Sequence, residues 1–315
     1  MAPPGQTRSG AAAFKIGTRG SPLALAQAHE LKERLTAAHG GDAVMIEIVV
    51  IKTTGDAIVD RPLSEAGGKG LFTKELDIAL SRGDVDIAVH SAKDLPTLLP
   101  DDIAILGYLP REDVRDAWIS PHADHPLKLR PGAVVGTASL RRGAMVKRLR
   151  PDLSIILLRG NVETRLAKLA AGDVDATLLA LAGLKRLKLE SRATSILDQA
   201  EFIPAAGQGA IGLTGRVGDR ASEAFTAPIL DAATGLALAA ERAFLHVLDG
   251  SCKTPIGANA WLEGGDVVFQ AIVLRPDGSE VFETALRGAP SAAAALGEAA
   301  GRDLRGRLPA DFFLV

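Results

Sequence analysis

The chain has 315 residues, which is long for a single ordinary core and enough for two or three modest domains, since domains usually run to roughly 100–150 residues. Lys and Arg number 36 against 38 Asp and Glu, so the formal net charge of −2 excludes a global attraction to nucleic acid or to an anionic membrane. With 47% apolar and 23% charged residues, and no apolar run near the roughly 18 residues a membrane span needs, the composition is that of a soluble globular protein.

In chain order, MAPPGQTRSGAAAF lacks the apolar core of a secretory signal, which predicts a disordered tail over 1–13 on a cytoplasmic protein. From Phe14 to Leu184, short aliphatic runs alternate with helical stretches, the pattern of α/β units around mostly parallel sheet. Strands are expected near 14–18, 44–51, 86–90, 103–108, 133–137, 154–158 and 175–181. Ala24, Ala28, Leu31 and Leu35 recur at helical spacing behind Ser21 as N-cap and Pro22 at the first helical position. Further helices are expected over 72–81, 139–150 and 161–171, the last closed by Gly172. Pro110 to Pro131 holds few periodic residues and several prolines, which suggests a crossing between two α/β domains near Arg111 to Asp116. A helix from Thr234 to about Leu248, strand-like runs near 256–262, 267–274 and 279–285, and an alanine-rich helix from about 291 suggest a small α+β domain at the end.

One local construction occurs three times. A strand ends, a small or hydroxylated residue follows, and an arginine stands at the start of a helix: Thr18-Arg19-Gly20-Ser21, then Thr137 through Arg141 and Arg142, then Arg159-Gly160-Asn161 with Arg165 a turn later. A helix N-terminus presents unpaired N–H groups and partial positive charge, and a guanidinium adds a bidentate grip on a carboxylate. Any one of these is what a capped helix with a solvated charge looks like. Three of them, at strand ends that can converge on one crevice, describe a site for a ligand with several negative charges.

Cys252 is the single cysteine, so no internal disulfide or cysteine-rich metal cluster exists. It lies in the turn-like Asp249-Gly250-Ser251-Cys252-Lys253-Thr254-Pro255, where Lys253 would favour the thiolate, although the residues alone leave an inert thiol equally open. Lys93 and Asp94 stand at a strand end in His90-Ser91-Ala92-Lys93-Asp94-Leu95-Pro96. Asp94 is either an ordinary turn residue or, facing a cationic cluster, a carboxylate that stabilises a positive intermediate or moves protons. Gly207-Gln208-Gly209-Ala210-Ile211-Gly212 has the letters of a dinucleotide fingerprint but not its strand and helix context, since Ile211 to Val217 reads as strand or loop. Gly67-Gly68-Lys69-Gly70 lacks the Ser or Thr of a phosphate loop and reads as a glycine loop. His122 and His125 have no zinc-like spacing, so no metal is expected.

The segments GTRGSPLALAQ, HSAKDLP, GTASLRR, LRGNVETRL and GSCKTPIG occur in order across nearly the whole chain, and in them it resembles the hydroxymethylbilane synthase, or porphobilinogen deaminase, family. The resemblance implies an α/β fold of two periplasmic-binding-protein-like domains around a cleft, with a small α+β C-terminal domain. It places them at 14–112 with a return segment near 204–230, at 113–203 and at 231–315. It implies a transferase that deaminates and joins four porphobilinogen molecules head to tail, on a dipyrromethane cofactor bound by a thioether to Cys252. Carried over residue by residue, Asp94 and Lys93 become catalytic, and Lys93, Ser139, Arg141, Arg142 and Arg165 hold the cofactor. Arg19, Ser21, Arg159 and again Arg165 take the substrate, with Gln27 and Lys69 nearby. A monomer without nucleic-acid or membrane partners is implied as well. The chain departs from the family pattern at Ala26, Ala138 and the Gly-Ser-Cys-Lys of 250–253, none of which removes an ionic contact or the thiol. The rival readings are a non-catalytic polyanion-binding protein of the same fold and an enzyme acting on nucleotide or sugar phosphates.

Overall fold

The computed structural model describes residues 13–41, 44–57, 70–248, 254–309 and 312. Most of the expected tail, Lys69 and Cys252 with its neighbours Ser251 and Lys253 lie outside the described residues.

The chain begins with strand β1 (Phe14–Arg19), helix α1 (Pro22–Ala38), strand β2 (Ile46–Ile51), the short helix α2 (Thr54–Ala57), helix α3 (Lys74–Arg82), strand β3 (Ile87–Ser91) and strand β4 (Ile103–Tyr108). Ser21 caps α1 by accepting from the Ala24 N–H, and Ala24, Ala28, Leu31 and Leu35 are all buried, as their spacing predicts. A crossing over 109–115 leads to β5 (Asp116–Ile119), β6 (Val134–Gly136), α4 (Leu140–Leu149), β7 (Ser154–Ile156), α5 (Val162–Ala170), β8 (Ala176–Ala180), α6 (Leu181–Arg186) and β9 (Ser195–Ile196). A return crossing over 197–210 enters β10 (Ile211–Arg216) and α7 (Arg220–Thr226). The remainder is α8 (Ala232–Val247), β11 (Ile256–Glu263), β12 (Asp266–Leu274), β13 (Val281–Gly288) and α9 (Ala293–Arg307).

Two five-stranded sheets result, ordered β2-β1-β3-β10-β4 and β7-β6-β8-β5-β9. In the first, β1 pairs parallel with β2 and β3, while β10 runs antiparallel to both β3 and β4. The second repeats the plan, with β6 parallel to β7 and β8 and with β5 antiparallel to β8 and β9. In each sheet the reversed strand is the first one after a crossing, and the first lobe receives β10 from beyond the whole of the second. Strand β5 falls inside the stretch where no strand was expected. All four of its residues are buried, so it has no inside-outside alternation, and an aspartate opens it.

The third sheet, β11-β12-β13, is an antiparallel meander with α8 and α9 packed on it. Its core takes in Ala92, Tyr108 and Ala210 of the first lobe, while Ile272 and Leu274 of β12 join Phe202 and Met145 in the core of the second. The C-terminal unit is thus packed against both lobes.

Candidate active site

In the first lobe, β1 delivers Arg19 at its end, and β3 runs into a single 3-10 turn, Ala92–Asp94, that presents Lys93 and Asp94. The Arg19 guanidinium lies 3.6 Å from the Asp94 carboxylate and 4.0 Å from the centre of the Phe72 ring. Gln27, buried on α1, exchanges hydrogen bonds with the Ser91 hydroxyl at 2.9 and 3.2 Å, which ties the first helix to the strand that carries Lys93.

In the second lobe, Ser139 caps α4 by accepting from the Arg142 N–H, and Asn161 caps α5 by accepting from the Thr164 N–H. All three helix starts read as anion sites are therefore capped by their own side chains. The hydroxyls of Ser21 and Ser139 act as acceptors there, and each retains an O–H to donate. The arginine side chains, rather than the bare helix ends, carry the positive charge of the junctions.

Arg141 and Arg142 point inward. Asp116, the fully buried first residue of β5, accepts from the Arg141 Nη2 at 2.7 Å and from the Arg142 Nη2 at 2.8 Å. Burial alone would push the Asp116 carboxyl up, but the two guanidiniums and Gln208 hold it well below the usual range. The Arg141 Nε is buried without a partner among the described residues. Arg165 donates its Nε to the Gly160 carbonyl at 2.8 Å. Its proton affinity is lowered to about 10, by burial first and then by Arg142 and Arg159, with Asp94 opposing. Lys93 is lowered to about 8, by burial and then by Arg142, with Asp94 and Asp116 opposing and Arg141 adding to the repulsion.

These mutual influences put residues from all three junctions in one electrostatic neighbourhood. Six cations, Arg19, Lys93, Arg141, Arg142, Arg159 and Arg165, share it with two carboxylates, Asp94 and Asp116. Crowding like charges in a partly desolvated place is unfavourable unless an anion joins them, and each charge-assisted hydrogen bond to such an anion contributes roughly 1.5–3 kcal/mol.

Sequence reasoning missed the residues that fasten this cluster. Gln208, 1% exposed, donates to the Val114 carbonyl at 2.7 Å and to Asp116 at 2.8 Å. Arg111 on the first crossing pairs with the fully buried Glu241 of α8 at 2.6 Å and donates to the Gln208 carbonyl at 2.8 Å. Glu241 in turn accepts from the backbone N–H groups of Gly207 and Ala260. Arg186 of α6 bonds Glu30 of α1 at 3.1 Å and the Gly209 carbonyl at 3.0 Å, linking the lobes. The available signal was an acid or amide inside an apolar run, as in Asp116-Ala-Trp-Ile. Among the described residues no group of three or more His, Cys, Asp or Glu is placed to hold a metal ion, and no helix is long and apolar enough to cross a membrane.

Two lobes tied by two crossings bring the cations of all three junctions together around the Asp94 and Asp116 carboxylates, an arrangement suited to a ligand with several negative charges. A family model described as "Porphobilinogen deaminase, dipyromethane cofactor binding domain" matches residues 14–224, and "Porphobilinogen deaminase, C-terminal domain" matches 236–306. The porphobilinogen deaminases of Nitrobacter winogradskyi and Nitrobacter hamburgensis are each 56% identical over 300 residues, 95% of this chain and 95% of theirs. Among solved structures, a periplasmic substrate-binding protein of an ABC transporter from Coxiella burnetii is similar at 15% identity and a TM-score of 0.42, over 69% of this chain and 91% of that one. The chain belongs to the porphobilinogen deaminase family, whose members are transferases, also called hydroxymethylbilane synthases, of tetrapyrrole synthesis. Its cofactor is dipyrromethane, and the cation excess with the unpartnered Arg141 Nε fits the carboxylates of such a group.

Proposed function

We propose that the cleft joins four porphobilinogen molecules head to tail into linear hydroxymethylbilane, on a dipyrromethane tethered through a thioether to Cys252, in a cytoplasmic monomer. A three-part division at 14–112 with 204–230, 113–203 and 231–315 belongs to this reading and is supported by the three sheets. When bound, the dipyrromethane supplies the pyrrole carbon to which the first substrate is joined.

The chain's own residues do the rest. Lys93, Ser139, Arg141, Arg142 and Arg165 hold acidic side groups of the cofactor, Ser139 by donating its O–H and Arg141 and Arg142 from a position braced by Asp116. Arg19, Ser21, Arg159 and Arg165 bind the acetate and propionate of the incoming porphobilinogen, with Gln27 behind Ser91 and Lys69 from its glycine loop. Asp94 stabilises the cationic pyrrole that forms as ammonia leaves the substrate, and the Arg19 guanidinium lies 3.6 Å from its carboxylate. Lys93 beside it sets an ammonium against the Asp94 carboxylate.

The observation that carries this reading is the convergence of six cations, Arg19 among them, on the neighbourhood that holds Asp94. Purified protein given porphobilinogen should release ammonia and form a product that closes to a porphyrinogen. Asp94→Asn should keep its substrate KM within a few fold and lose about a hundredfold or more in kcat, the scale seen when a preorganised charge-stabilising group is removed. Full turnover by that variant would remove Asp94 from the mechanism.

A further inference from the structure

The Gly207-Gln208-Gly209 run, which sequence analysis sets aside as a false dinucleotide fingerprint, lies on the return crossing at the centre of the molecule. Both glycines have positive φ, +76° and +86°. A Cβ on Gly207 would lie 2.8 Å from the Lys93 backbone nitrogen, and one on Gly209 would lie 2.3 Å from the Glu112 carbonyl oxygen. The run is therefore pressed between the turn that carries Lys93 and the first crossing, and only glycine fits on either side of Gln208.

The side chain of Gln208 has one workable orientation. Its Nε2 donates to the Val114 carbonyl and the Asp116 carboxylate at 2.7 and 2.8 Å, and the flipped amide would set its oxygen against both of these acceptors. Its Oε1 then faces the donors opposite, the Lys93 ammonium at 3.4 Å and the Arg142 Nη2 at 3.5 Å. Lys93 belongs to the first lobe, and Asp116 and Arg142 belong to the second.

We propose that Gln208 is a positioning residue that clamps the Lys93 ammonium of one lobe to the Asp116–Arg142 pair of the other, and so fixes where the cationic floor of the site stands. The proposal rests on the reading of Lys93 as part of that site. The groups facing the ammonium are Arg142, Asp94, Asp116 and Arg141, and Gln208 is the neutral acceptor among them. A carboxylate in place of the amide would strengthen the hold of Lys93 on its proton, and loss of the amide would weaken it.

The test uses the full-length protein with its cofactor. Acetylation of Lys93 by acetic anhydride is followed against pH by peptide mass spectrometry in the wild type, Gln208→Glu and Gln208→Ala, with circular dichroism and thermal melting to confirm folding. The clamp predicts a midpoint at least one pH unit higher in Gln208→Glu and a lower one in Gln208→Ala. The same order should appear in the alkaline limb of kcat/KM. A second arm needs no Gln208 variant: in protein labelled with side-chain ¹⁵N-glutamine, the Gln208 amide resonance should titrate with Lys93 and stop doing so in Lys93→Met. Equal midpoints in the three proteins, or an amide indifferent to Lys93, would overturn the clamp. Wild-type protein without cofactor on intact mass would instead overturn the reading of the site, so the two failures are separate.

Discussion

Lys93 and Asp94 are adjacent in sequence and opposite in charge, and their surroundings treat them differently. Lys93 sits where burial and Arg142 weaken its hold on a proton, to about 8, whereas Asp94 has Arg19 beside it. Because folding lowers the proton affinity of Lys93, the unfolded chain binds that proton more tightly between about pH 8 and the ordinary lysine value. The buried ammonium therefore costs stability below this window, and the cost is lost as pH rises through it. Grip on a polycarboxylate runs the other way, since it needs the ammonium. The kcat of the wild type should fall as pH passes about 8, and Lys93→Arg, which keeps its charge, should lack this step in a kcat-against-pH profile. At this scale the sequence was informative wherever a motif was contiguous: HSAKDLP exposed Lys93 and Asp94, and GTASLRR exposed Arg141 and Arg142. It was silent on Asp116 and Gln208, because what matters in them is which distant donors they meet, and no local spacing records that.

Helices α1, α4 and α5 start on the side-chain caps Ser21, Ser139 and Asn161, all visible as strand, small polar residue, helix. Their legibility follows from capping being local chemistry. Strand β5 and the return crossing were not legible in the same way. Strand β5 is buried on both faces and so carries no period, and the crossing combines its own turns with carbonyls that accept from the distant Ala92, Glu112 and Ala258 N–H groups. The Gly207-Gln208-Gly209 run shows how a motif can be real while its usual meaning is wrong: the glycines serve close backbone approach to Lys93 and Glu112, not to a phosphate. Gly209→Ala combines a left-handed conformation with a Cβ 2.3 Å from a carbonyl oxygen. It should lower stability by about 2–4 kcal/mol in denaturant unfolding, the sum expected of a strained backbone and an overpacked contact. A variant as stable as the parent would show that the crossing yields easily.

For the molecule as a whole, the repeated strand order of the two lobes could be foreseen only as a family expectation. Periodicity reveals strands and helices but not that each sheet reverses its first strand after a crossing, nor that β10 returns to the first sheet. One polar tie between the first crossing and the C-terminal unit is the Arg111–Glu241 pair, with Glu241 fully buried and also bonded to Gly207 and Ala260. Removing one partner of a buried pair leaves the other charge uncompensated. Arg111→Ala should therefore cost about 3–5 kcal/mol in calorimetric unfolding. A loss under 1 kcal/mol would mean the three units do not depend on this junction.

The account as a whole requires an acidic pyrrole primer to be carried by the protein itself, tied to the one thiol and balanced by the cations the fold brings together. Mass spectrometry of the intact, denatured protein asks this directly. Purified wild type should be heavier than its 315-residue sequence by two linked pyrroles, and Cys252→Ser should show the bare chain. A wild-type chain that stays at its bare mass after incubation with porphobilinogen would contradict the account.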